Sequence, residues 1–126
     1  MSVCPFCAFD RIKFRFENDL VFTIRDAFPV SSGHTLILVK RHVASFFETT
    51  GEEQKALLSA LIMEGAKLTE EFSPDGFNIG INDGYAAGQT IPHLHIHLIP
   101  RYKGDMADPR GGIRLLFPDK AVYWND

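Results

Sequence analysis

The segment His93-Leu94-His95-Ile96-His97-Leu98-Ile99 constrains this chain more than any other. Three of the five histidines here alternate with apolar residues. Alternation at period two marks a strand, whose successive side chains point to opposite faces. His93, His95 and His97 then line one face, while Leu94, Ile96 and Leu98 enter a core. A row of imidazoles costs too much desolvation to be plain packing. It reads as an active site, a metal site, or both.

The surrounding pattern says what sheet this strand joins. Residues 20–24 and 35–39 read as an antiparallel hairpin with a long connection. In that connection Pro29 biases Phe28 away from helix, and Ser31-Ser32-Gly33 makes a turn. Thr50-Gly51-Glu52-Glu53 is a capping-box signature. It predicts a helix over 52–72, stopped by Ser73-Pro74-Asp75-Gly76. Leu57, Leu58, Leu61, Ile62 and Met63, extended by Ala66 and Phe72, give that helix a broad apolar face. Glu64, Lys67, Glu70 and Glu71 are expected to face water. Residues 77–82 form the next strand, and the histidine strand runs over 91–99, with Pro92 fitting only its first positions. Beyond Arg101, residues 108–112 read as loop and 113–117 as a brief pairing segment. Strand, strand, helix, strand, strand implies one antiparallel sheet covered by a helix, an α+β domain. A chain of 126 residues suits one such domain over 1–126.

Charge and cysteine usage narrow the partners. A net charge of -3 argues against a DNA or RNA polymer but leaves room for a small anion held by local donors. No apolar run approaches a membrane span, and Met1-Ser2-Val3-Cys4 does not open a secretory leader. A cytoplasmic protein with no membrane partner is expected. In that compartment Cys4-Pro5-Phe6-Cys7 is more readily a metal or redox pair than a stabilising disulfide. The spacing suits half of a tetrahedral zinc site, which His42 and His93 would close. A redox pair wants its first cysteine at a helix start, and no amphipathic helix follows. Reduced, unliganded cysteines stay open as an alternative. Eleven phenylalanines favour a core of large side chains with an aromatic-lined pocket.

Other residues carry paired readings. The loop Asn82-Asp83-Gly84 to Gly88-Gln89-Thr90 can aim backbone amides at phosphate oxygens, or it is a plain hairpin loop. A histidine can attack phosphorus and form a covalent intermediate. The imidazoles flanking His95 could orient it, donate to phosphate oxygens or protonate a leaving group. His34 is a satisfied turn histidine, or it fixes the tautomer of a site imidazole. Asp26 binds loop amides, or accepts from a sugar diol. Arg110 and Arg114 read as surface charges.

Taken together, these residues resemble the histidine triad family of nucleotide-binding hydrolases and transferases, in its bacterial zinc-binding form. The triad pattern fits residues 93–99 throughout, and Gly88-Gln89-Thr90 sits at the family's upstream spacing. Residues 29–34, the apolar strand to Val39 and Lys40-Arg41-His42 are similar to the family's first half. The likeness covers 4–101 and leaves 102–126 as a C-terminal extension. It implies an antiparallel sheet with a flanking helix, the subunit sheets joined in a homodimer. It also implies cleavage of a purine nucleotide at its α-phosphate, with His95 as nucleophile, His97 on the phosphate or ribose side and His34 supporting the triad. Phe6 and Ile24 would lie beside the base and Asp26 on the ribose hydroxyls. Asn82, Gly88, Gln89 and Thr90, with His97, would serve the phosphate side. Cys4, Cys7, His42 and His93 would hold a structural zinc. Dinucleoside polyphosphates are the first expected substrates, since Tyr85-Ala86-Ala87 is similar to the loop of dinucleotide-cleaving members. Nucleoside phosphoramidates, transfer to inorganic phosphate, and a non-catalytic zinc-stabilised nucleotide module are the alternatives. Residues 108–114 and Tyr123-Trp124 resemble a bacterial subgroup, in which this ending would approach the partner subunit's site.

Overall fold

The computed structural model describes residues 3–125. Strands β1 (Phe16–Glu17), β2 (Val21–Arg25), β3 (Thr35–Val39), β4 (Gly76–Gly80) and β5 (His95–Arg101) form one antiparallel sheet, in the order β1-β2-β3-β5-β4. The single α-helix of the described residues, α1 (Gly51–Phe72), connects β3 to β4. The α+β architecture is the one the pattern predicts; β1 is too short to show in it.

Pairing of β3 with β5 sets Leu36 opposite His97 and Leu38 opposite His95. Side-chain alternation then divides the core in two. Against α1 lie Val21, Ile37, Val39, Leu94, Ile96 and Leu98, packed with Leu57, Ala60 and Leu68. On the other face Phe22, Ile24, Leu36 and Leu38 pack with Phe6 from the N-terminal segment. Each such aliphatic or aromatic side chain contributes roughly 1.5–3 kcal/mol on full burial. The second face is the one that also carries His95 and His97.

α1 begins as its capping box dictates. The Thr50 hydroxyl accepts the Glu53 N–H at 3.1 Å, and the Glu53 carboxylate accepts the Thr50 N–H at 2.9 Å. The helix ends at Ser73, in the left-handed region with φ 50°, just before Pro74. Its buried stripe differs from the predicted one and runs through Glu53, Leu57, Ala60, Glu64 and Leu68. Leu58 and Ile62 are exposed, by 57% and 73%. Glu64, expected in water, is buried because the Thr23 hydroxyl on β2 donates to its Oε2 at 2.6 Å. A charge-assisted bond of this kind offsets the desolvation that would otherwise keep a carboxylate outside.

Two boundaries also move. The histidine strand starts at His95 instead of residue 91. Pro92 has no N–H to give, the His93 N–H turns back to the Ile91 carbonyl at 2.8 Å, and the Leu94 N–H goes to Val43 at 2.7 Å. Residues 113–117 do not pair with a strand. Gly111 and Gly112, with φ of 90° and 48°, reverse the chain into a 3₁₀ turn over Gly112–Leu116. Arg114 then donates to the carbonyls of Ala121 and Lys120, and the Arg110 guanidinium lies 4.5 Å above the Trp124 ring. These two arginines fasten the tail. No helix among the described residues is long and apolar enough to cross a membrane.

Candidate active site

The histidine row is two sites that meet at one residue. His93 stands before β5 and is fully buried; His95 and His97 are half-buried on the strand. Each imidazole has one nitrogen committed to a partner, and the partner decides the tautomer.

At one end, His93 Nε2–H donates to the Val39 carbonyl at 2.7 Å. Its Nδ1 lone pair faces the sulfurs of Cys4 and Cys7, both at 3.4 Å. His42 Nδ1 lies 3.2 Å from the Cys7 sulfur. The four ligand atoms of Cys4, Cys7, His42 and His93 all lie within 4.8 Å of one another. A tetrahedral zinc, with Zn–S near 2.3 Å and Zn–N near 2.0–2.1 Å, sets sulfur and nitrogen roughly 3.5 Å apart. The donor set, spacing and second-shell carbonyl therefore fit zinc. Four protein ligands make a closed site, in which the metal would supply cross-linking and leave no open coordination position.

In the middle, His95 Nδ1–H donates to the His93 carbonyl at 2.8 Å. Its Nε2 therefore carries the lone pair. The Phe6 ring meets His95 edge-on, with centroids 4.9 Å apart.

At the other end, the Val30 N–H donates to His34 Nδ1 at 3.2 Å, so neutral His34 keeps its proton on Nε2. That Nε2 lies 3.0 Å from His97 Nδ1 and 3.4 Å from Asp26 Oδ2. His97 accepts at Nδ1 and so keeps a proton on Nε2. Burial, more than the neighbouring His95 and His34, pushes its pKa down to about 4 against the opposing pull of Asp26. Burial lowers His34 and His93 as well. At neutral pH His97 is an uncharged donor beside the His95 ring.

Backbone geometry sets His34. Gly33 has φ +90°, and a Cβ there would sit 2.9 Å from Leu68 Cδ2 and 3.0 Å from Phe72. Only glycine fits between the end of α1 and the turn that delivers His34.

The remaining candidates fall in several places. Asp26 is half-buried and accepts the Phe28 N–H at its Oδ1 at 2.8 Å, so it binds a loop amide as well as facing His34. Phe6 and Ile24 share the aromatic cluster, but Ile24 is fully buried there, a floor to the cluster without open surface. The phenylalanine-lined space takes form as a cleft of about 370 Å³ between Phe6, Phe9, Phe14 and Phe22, rimmed by Arg11 and Lys40. Asn82 is half-buried two residues past Gly80, which pairs with His97. Gly88, at φ +92°, closes the turn over Tyr85–Ala87. Gln89 braces this loop: its carboxamide oxygen accepts the Gly84 N–H, and its nitrogen donates to the carbonyls of Ala44 and Ile91. Both of its side-chain amide protons thus have backbone partners in this structure. Thr90 is exposed and lines a cleft of about 530 Å³ with Cys4, Cys7 and His42, on the metal side. The carbonyls of Val39 and His93 and the Val30 amide, which assign the tautomers, are backbone groups and leave no mark in a sequence. One anchor did leave a mark: Asp83 accepts the Ser45 hydroxyl and the Phe46 N–H, tying the loop to the segment before α1.

Comparison with known proteins agrees with this geometry. Residues 12–104 match the HIT domain family. The chain is 39% identical over 90 residues to the bis(5'-adenosyl)-triphosphatase of Dictyostelium discoideum, covering 71% of this chain and 60% of that one. It is 36% identical over 107 residues to the adenylylsulfatase HINT3 of Arabidopsis thaliana, covering 81% and 54%. Among solved structures, a Zn-bound histidine triad family protein from Mycobacterium smegmatis superposes with a TM-score of 0.75 at 33% identity, covering 83% and 79%. The chain spans about 60% of the length of the curated relatives it matches. An alternating histidine row that leads into β5, His34 at hydrogen-bond distance from His97, and a family match over residues 12–104 lead to one conclusion: the chain belongs to the HIT domain family.

Proposed function

We propose that this protein hydrolyses purine nucleotides at the α-phosphate through a nucleotidyl-His95 intermediate, with dinucleoside polyphosphates as the favoured substrates. One observation carries the reading: an unshared lone pair on His95 Nε2 stands beside a neutral histidine, His97, whose Nε2 keeps its proton. In the first step His95 Nε2 attacks the α-phosphorus, and the bond to the leaving phosphate oxygen breaks. The positive charge left on the ring is shared with the His93 carbonyl through Nδ1–H. His97 Nε2–H donates to a phosphate oxygen as negative charge builds there. Water then attacks the phosphorus, His95 leaves, and a nucleoside monophosphate is released.

Phe6 flanks the base, Asp26 takes the ribose hydroxyls, and Asn82, Thr90 and the amides near Gly88 serve the phosphates. Cys4, Cys7, His42 and His93 hold a structural zinc. Two chains pair as a homodimer, and the C-terminal extension reaches the partner's site. The relative named bis(5'-adenosyl)-triphosphatase supports the dinucleotide reading. The relative named adenylylsulfatase favours a second leaving group, sulfate, served by the same intermediate. Nucleoside phosphoramidates, which would release an amine, and inorganic phosphate in place of water as the acceptor are served by the same intermediate.

The test is product analysis from diadenosine tetraphosphate, with wild type beside His95→Ala. Adenosine monophosphate plus adenosine triphosphate should form, and the variant should lose more than about a thousandfold in turnover. Comparable turnover by the pure variant rules out His95 as nucleophile.

A further inference from the structure

His95 packs against the His97 ring at 5.0 Å, and its two other contacts begin at the cysteine–histidine group. The first is the His93 carbonyl, which accepts the His95 Nδ1–H at 2.8 Å. The ring of that same His93 offers Nδ1 to both cysteine sulfurs. The second is the Phe6 ring, which lies between two ligands in sequence and packs edge-on against both His93 and His95, with centroids at 5.8 and 4.9 Å.

The N-terminal segment is held to the sheet by few things. Its backbone bonds among the described residues are local, Ala8 N–H to the Cys4 carbonyl and Phe9 N–H to Phe6. The ties to the rest of the fold are the Phe6 cluster and the sulfur–nitrogen contacts. A metal turns those weak contacts into bonds, and so fixes Phe6 and the His93 backbone together.

We propose that the Cys4, Cys7, His42 and His93 group is a positioning device for the nucleophile: metal loading clamps Phe6 and the His93 carbonyl, and these hold His95 as the Nδ1–H tautomer with its lone pair at Nε2. This rests on the reading of His95 as nucleophile and of the group as a zinc site. Phe6 is then a positioning residue in addition to any contact with the base. A zinc that only stabilised the fold would leave the tautomer of His95 untouched in any protein that stayed folded.

The experiment reads ring nitrogen shifts of ¹⁵N-histidine in the ligand-free protein, where contact with a base plays no part. Zinc-loaded wild type, chelator-stripped wild type and zinc-loaded Phe6→Leu are compared, with His95 assigned from its missing signals in His95→Ala. Zinc-loaded wild type should show His95 as one Nδ1–H tautomer. Weakening a single hydrogen bond or its support changes such a ratio about fivefold. The ratio should fall by about that much in Phe6→Leu at full zinc content, and further in the stripped protein. His34 and His97, at the far end, should keep their signals in both. If stripping unfolds the chain, Phe6→Leu decides alone, its fold checked by amide dispersion. An unchanged His95 ratio in Phe6→Leu at full zinc content, or in folded stripped protein, overturns the coupling while leaving the zinc site standing. Failure of wild type to take up zinc overturns both.

Discussion

Two groups of side chains at opposite ends of one histidine row look alike on a map of ligand atoms. Cys4, Cys7, His42 and His93 converge within 4.8 Å, and so do Asp26, His34 and His97. Their chemistry differs. In the first group the close pairs are cysteine sulfurs and imidazole nitrogens 3.2–3.4 Å apart, a donor set and spacing that suit zinc. In the second, each close contact is a hydrogen bond that already uses a lone pair: Val30 N–H to His34, His34 to His97, Phe28 N–H to Asp26. Convergence alone does not make a metal site. What counts is the chemistry of the converging atoms, and by that measure the first group suits a metal and the second is a hydrogen-bonded chain.

The sharpest break of this comparison is Cys7→Ser. It should take zinc from about one per chain to almost none and lower Tm by about 10 °C or more, read by metal analysis and calorimetry. Full zinc retention would erase the distinction between the two groups. Gly33→Ala strikes the other end. Its Cβ meets Leu68 and Phe72 at a left-handed φ, so a loss of about 2–4 kcal/mol in denaturant titration is expected. A neutral result would mean the turn can yield without moving His34. His34→Ala should cost turnover about ten- to a hundredfold with zinc content unchanged; loss of zinc in this variant would join two groups held here to be separate. The smallest effect is acid sensitivity. Burial pushes the His97 pKa down to about 4, so the unfolded chain binds the extra proton between there and about 6.5. The stabilisation is complete above that upper value and drains away as pH falls. Stability should fall as pH drops from about 6.5 toward 4, and His97→Gln should flatten that part of the profile. An unaltered profile in the variant would place the titration elsewhere.

The row and its split of roles were partly legible in the sequence, because alternation and cysteine spacing are local signals. So were the helix and its cap, since Thr50 and Glu53 lie within one turn. What escaped depends on distant partners. Pro92 hinted at a late strand start, but the Val43 carbonyl that captures Leu94 is far along the chain. The bracing role of Gln89 rests on the Ala44 carbonyl, 45 residues back along the chain. The broad apolar face expected of α1 left Glu64 in water, and the Thr23 hydroxyl that holds it inside lies on β2, 41 residues away.

That buried carboxylate also bears on the alignment of the fold. Leucine and alanine contacts are forgiving, and α1 slid along the sheet by one turn would still cover much apolar surface. Glu64 would then face a site without the Thr23 hydroxyl, a dehydrated charge with no donor. The misaligned packing is selected against while the intended one loses little. One turn further along lies Leu68, which with Phe72 leaves no room for a side chain at Gly33, the residue just before His34. The buried acid thus favours the helix alignment in which Leu68 and Phe72 meet the turn that delivers His34.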